Sequence, residues 1–146
     1  MTIRCEIVSQ DRTVFSDYVD IVVLPGAAGE MGILPKHAPV LTTLKYGVIR
    51  VRRSGNEEIF TVAGGIAEVQ PDAVTILADA AENVEEIDVN RAEAARRRAE
   101  EILAKGIPAG TDAYLVMEAA LRRSNLRLEA ARRYGKQRSR YPGSES

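Results

Sequence analysis

The sequence predicts a segregated α+β chain, in which an N-terminal antiparallel β-sandwich or barrel is followed by a C-terminal antiparallel two-helix hairpin. Three observations carry that prediction. Before Ala81 the chain is a series of short β-branched runs broken by Gly and Pro, whereas after Asp88 it is Ala, Arg, Glu and Leu at helical spacing. Charge changes at the same place, with 13 acidic and 7 basic residues through Ile87 and 8 acidic and 13 basic residues beyond it. A single cysteine and a single histidine among 146 residues exclude an internal disulfide and a structural zinc site, so apolar packing must hold each module. The expected organisation is a sandwich over residues 1–87, a hairpin over 88–135 and a disordered polar tail over 136–146.

The strands follow in order. Ile3, Cys5 and Ile7 alternate with Arg4 and Glu6, the period of a half-buried strand. Val19, Ile21 and Val23 repeat that period after a turn at Asp11-Arg12. Residues 48–53 and 57–62, joined through Ser54-Gly55-Asn56, predict a hairpin whose Arg and Glu residues face one another across the strands. Gly64-Gly65 reads as a tight turn, because neither a Lys-Ser/Thr pair nor a helix follows to make a phosphate loop. A second hairpin runs from Ile66 to Leu77 through Pro71-Asp72.

The helical half starts at Asp88, a good N-cap. Ala92, Ala95, Ala99, Ile102 and Leu103 form one apolar stripe, leaving Arg96, Arg97, Glu100 and Glu101 wet. Residues 106–110 carry two Gly and a Pro and break the helix. Thr111 or Asp112 caps a second helix, with Met117, Leu121, Ser124, Leu128 and Ala131 on its inner face and an end near Gly135. An alanine seam buries little area, so the hairpin is expected to be weakly docked and able to open.

Composition and motifs then narrow the chemistry. His37 stands in a proline-bracketed turn with no Cys or Ser beside it to activate, and Cys5 falls on the apolar face of its strand. Neither reads as catalytic. Two Phe, five Tyr and no Trp supply few stacking platforms for single-stranded nucleic acid. No N-terminal leader and no membrane-length apolar run are read, so the chain is expected to be cytosolic unless a partner holds it at a membrane. Two other classes remain as alternatives: a nucleic-acid-associated adaptor using the basic hairpin, and a small carbohydrate-binding or enzymatic barrel, ranked last for want of paired carboxylates or a nucleophile.

Three blocks, residues 29–40, 62–69 and 74–78, resemble the epsilon subunit family of the bacterial F-type ATP synthase, and the similarity is collinear from about Ile3 to about Ala131. The resemblance implies a non-catalytic rotor subunit, held peripherally at the cytoplasmic face of the cell membrane. Its implied partners are the gamma subunit, the c-ring and the alpha and beta subunits, with no nucleic acid and no required cofactor. By the same resemblance Glu30, Met31, Lys36 and His37 are candidate c-ring contacts. The chain also carries Ile87-Asp88-Val89-Asn90-Arg91-Ala92, similar to the start of the first hairpin helix in family members that bind ATP there. Glu82, Asp88, Arg91, Ala92, Arg98, Arg123 and Arg127 are accordingly candidate ligands for ATP as a regulatory molecule. Clustered guanidinium groups suit a triphosphate. The resemblance further implies a mobile hairpin that inhibits ATP hydrolysis when extended, with Arg122, Arg123, Arg127, Arg132 and Arg133 as candidate contacts to an acidic region of the beta subunit. From Ala113 onward 8 basic residues stand against 3 acidic ones, which suits such a counterpart.

Overall fold

The computed structural model describes residues 1–135, and the expected tail over 136–146 lies outside them. The chain divides into two compact units, Met1–Asn83 and the segment from Val84 onward.

The first unit is built of eight strands: β1 (Ile3–Val8), β2 (Thr13–Val19), β3 (Ile21–Gly26), β4 (Gly29–Ile33), β5 (Val40–Arg53), β6 (Asn56–Gln70), β7 (Ala73–Ala78) and β8 (Ala81–Asn83). They hydrogen-bond in the order β2-β1-β7-β6-β5-β3-β4, with β8 added to β6. Pairing is antiparallel except between β1 and β7, which run parallel. Ile3, Cys5 and Ile7 are fully buried, as the alternation predicts, and join Val19, Val22, Leu24, Ile49, Phe60, Val69 and Ile76 in one core.

The strand phases correct several sequence-level expectations. Val19 is buried, but Val22 and Leu24 are the next inward residues, while Ile21 and Val23 are only half-buried. Asp20 is the cause. It forms a bend between β2 and β3, donating its N–H to the Arg52 carbonyl while its carboxylate accepts the Ser54 N–H, and the bend shifts the alternation by one. The β5–β6 turn is two residues, Ser54 and Gly55, both at positive φ, and Asn56 already belongs to β6 opposite Arg53. Arg52 and Glu57 do face each other across that hairpin, 3.2 Å apart.

Gly64-Gly65 is not a turn between strands. Both residues lie inside β6, at φ 86° and 133°, where the strand leaves β8 and takes β7 as its neighbour. A Cβ on Gly65 would stand 2.3 Å from the Leu77 carbonyl oxygen, so two backbones approach here as only glycine allows. The inward phase of β6 changes across this kink, from Phe60 and Val62 to Ala67 and Val69.

The second unit opens with a 3₁₀ turn, Val84–Glu86, followed by α1 (Val89–Ala104), α2 (Asp112–Ala130) and one π-helical turn, Ala131–Gly135. Asp88 caps α1 by accepting the Arg91 N–H, and Thr111 caps α2 by accepting the Tyr114 N–H. The two helices pack on each other, and the π turn returns to touch the 3₁₀ turn, so α1 and α2 run antiparallel. Ala92 and Ala99 are buried on α1, but Ala95 is exposed. Arg96 takes the expected place of Ala95. Its half-buried stem lies in the row Ala92, Arg96, Ala99, Leu103, and its guanidinium reaches Glu93 at 2.7 Å and Glu100 at 3.1 Å. A row stepping four, three and four residues follows the helix better than one through Ala95.

Candidate functional site

On α1 the packed residues are Ala92 and Ala99; on α2 Ser124 is buried and Leu128 half-buried. Arg91, Arg98, Arg123 and Arg127 each immediately precede one of these four. Each therefore departs from its packed neighbour by the same rotation, about 100° around its helix. Two antiparallel helices packed face to face are related by an approximate two-fold axis perpendicular to both, so equal rotations bring side chains out on the same side of the pair. All four arginines share one flank of the hairpin.

Their levels also follow from the antiparallel course. Arg123 and Arg127 stand in the half of α2 that lies opposite the start of α1, where Arg91 is found, and Arg98 is two turns nearer the connection, about 10 Å along the axis. Arg91, Arg98 and Arg123 are exposed and Arg127 is half-buried. Asp88 lies one turn before Arg91, and its capping bond, at 3.1 Å, uses only Oδ1. Ala92 is fully buried, which makes it packing beneath this flank. Glu82 belongs to the first unit, half-buried in β8 opposite Thr61, whose hydroxyl donates to the Glu82 carbonyl at 3.4 Å.

The candidate contacts around residues 30–37 begin in a regular strand. Gly29–Ile33 is strand β4, paired with β3 through the short Ala27-Ala28 turn; the backbone leaves regular structure only after Ile33. Glu30 is exposed at the start of β4 and receives a 3.4 Å bond from Arg50. Met31 is half-buried and packs against the core. Lys36 adopts φ 70° and donates its N–H to the Pro71 carbonyl, placing it and half-buried His37 by the β6–β7 turn, beyond the other end of β4 from Glu30. Two separate surface points result.

Of the basic residues assigned to a beta-subunit contact, Arg122 and Arg123 are exposed on α2. Arg132 is bonded to Glu129 at 2.6 Å, and Arg133 lies over the Tyr134 ring. That Arg132 guanidinium holds the Glu129 carboxyl below its ordinary range.

An exposed apolar surface escaped the sequence reading. On the outer face of the first unit, Thr43, Ile66 and Leu77 are in register across β5, β6 and β7, and Leu41 lies two residues along β5. Leu41, Leu77 and Ile66 are 68%, 49% and 40% exposed. Their signal was phase. Ile66 and Leu77 each neighbour an inward residue, Ala67 and Ile76, and must therefore point outward.

Residues 2–84 match the family model for the β-sandwich domain of the ATP synthase delta/epsilon chain, and residues 85–132 match that for its long α-helix domain. The chain belongs to the ATP synthase delta/epsilon family. Relatives in that family include the ATP synthase epsilon chain of Pelotomaculum thermopropionicum, 55% identical over 104 residues, which are 71% of this chain and 78% of that one. The epsilon chain of Dehalococcoides mccartyi is 46% identical over 130 residues, covering 88% and 91% of the two chains. Among solved structures, a chain of the Euglena gracilis mitochondrial ATP synthase, in an assembly of OSCP, F1 and c-ring, superposes with a TM-score of 0.70 at 28% identity, over 89% of this chain and 81% of that one. An ATP synthase epsilon chain is what these matches support, and the nucleic-acid adaptor finds no support among them. Among the described residues no helix is long and apolar enough to cross a membrane.

Proposed function

We propose that this chain is a non-catalytic rotor subunit whose sandwich mounts on the central stalk and whose hairpin is a movable arm that senses ATP and restrains ATP hydrolysis. The arginine flank carries the reading. Four guanidinium groups on one flank of a short hairpin suit a triphosphate, whose oxygens accept charge-assisted hydrogen bonds from them. Asp88 supports the site by fixing the first turn of α1, and its second carboxylate oxygen is available to an adenine amino group or a ribose hydroxyl. ATP held by the closed hairpin shifts the population toward closure, in proportion to its preference for that state. Extended, the arm presents the basic half of α2 to an acidic surface of the beta subunit.

For the sandwich, the exposed row of Leu41, Ile66 and Leu77 is the face proposed to meet gamma, because an apolar strip of this kind is ordinarily covered in an assembly. Glu30 at one end of β4 and Lys36 with His37 beyond the other are the proposed contacts to the c-ring's polar loops. The subunit is thereby held peripherally at the cytoplasmic face of the membrane through its partners.

Titration calorimetry of the full chain with MgATP tests the arm. A saturable heat is expected, with affinity reduced about tenfold or more in Arg123→Ala, the loss of one charged hydrogen bond. Absence of heat with the wild type, or equal affinity in the variant, removes the nucleotide site.

A further inference from the structure

We propose that the contact between the 3₁₀ turn Val84–Glu86 and the π turn Ala131–Gly135 is a clasp that fastens the helical hairpin at its open end, an inference that rests on the reading of the hairpin as a movable arm. One end of the α1–α2 pair is closed covalently by the Lys105–Thr111 connection. The other end has no such link. Along the seam the buried residues are Ala92, Ala99 and Ser124, small side chains that bury little area. Val89, the first residue of α1, is 46% exposed, so the opening turn of that helix packs little apolar surface. The chain instead meets the π turn after α2 one step earlier, with the 3₁₀ turn Val84–Glu86, in which Val84 is only 5% exposed.

On the opposing side α2 does not simply stop. The Ala131 N–H is shared between the carbonyls of Arg127 and Leu128, and the backbone then widens into a π turn, a departure from α geometry that is frequent at functional positions. Within that turn Arg132 is engaged by Glu129 and Arg133 by the Tyr134 ring. Arg132 and Arg133 are thus engaged from their own helix end, while Ala131 and Tyr134 are half-buried in the turn that meets Val84–Glu86. A pair of helices tied at one end opens from the other, so the stability of this contact sets how often the hairpin opens. An acidic partner that captures Arg132 and Arg133 pulls directly on the clasp.

Amide exchange over residues 128–135 of the full chain, in wild type, Val84→Ala, Tyr134→Ala and the double variant, tests this. Each single variant is expected to accelerate exchange there about tenfold, with amides of β1 and β6 unchanged. If the two side chains serve one contact, the double variant falls short of the product of the single effects. Unchanged exchange in either single variant, or fully multiplicative effects, overturns the clasp. ATP hydrolysis by the assembled synthase separates the two claims: accelerated exchange with lowered hydrolysis is the expected pair, whereas accelerated exchange with unaltered hydrolysis keeps the clasp and overturns the arm.

Discussion

The Cys5 thiol titrates against the fold. Burial, and secondarily the charge of Glu6, push its pKa from 9.0 up to about 12, so the folded state keeps it protonated where the unfolded chain would release the proton. The resulting stability is fully present below about pH 9 and is lost as pH rises through about 12. Urea midpoints measured across that window are expected to fall for the wild type and to fall less steeply for Cys5→Ala, whose lower starting stability reflects the small cavity left behind. An identical slope in the two proteins would show that Cys5 is not the titrating group. Asp17 runs the other way. The Tyr18 N–H, and then Arg53, hold its carboxyl below the ordinary range, so its contribution is lost only as pH falls through that lowered value.

At the scale of the element, the informative feature is the long β5–β6 ribbon and its kink. Gly65→Ala would drive a Cβ into the Leu77 carbonyl and hold an alanine at φ 133°, and together these are expected to cost about 3 kcal/mol in chemical denaturation of the full chain. A loss under about 0.5 kcal/mol would mean that the strand relaxes elsewhere. The kink also shows where sequence reasoning stops. Alternation made β1 legible because Ile3, Cys5 and Ile7 share one phase, and capping is local chemistry, which made Asp88 legible and narrowed the second cap to Thr111 or Asp112, of which Thr111 is the cap. A bend at Asp20 and a glycine pair inside a continuous strand shift phase without breaking pairing, and only the neighbouring strands reveal that. Arg96 belongs to the same class. Its charge marks it as wet, yet its stem is apolar enough to lie in the packed row once two glutamates satisfy its head.

For the whole molecule, the two units divide the work that the family resemblance assigns to it. The helix faces that the hairpin arginines occupy follow from their spacing, because helix geometry converts sequence intervals into faces directly. The apolar strip on the sandwich does not follow from spacing, since Leu41, Ile66 and Leu77 are brought together only by registers across three strands. If that strip seats the sandwich on the stalk, Ile66→Glu should fold normally and co-purify poorly with gamma; undiminished co-purification would move the docking face elsewhere. Everything assigned to the hairpin depends on its motion. Spectroscopic labels placed at Asp72→Cys and Glu118→Cys, with buried Cys5 left unmodified, report the separation of the two units in the assembled synthase. Two separations are predicted, with saturating MgATP driving the population to one of them. A single separation, the same with and without nucleotide, would contradict the account.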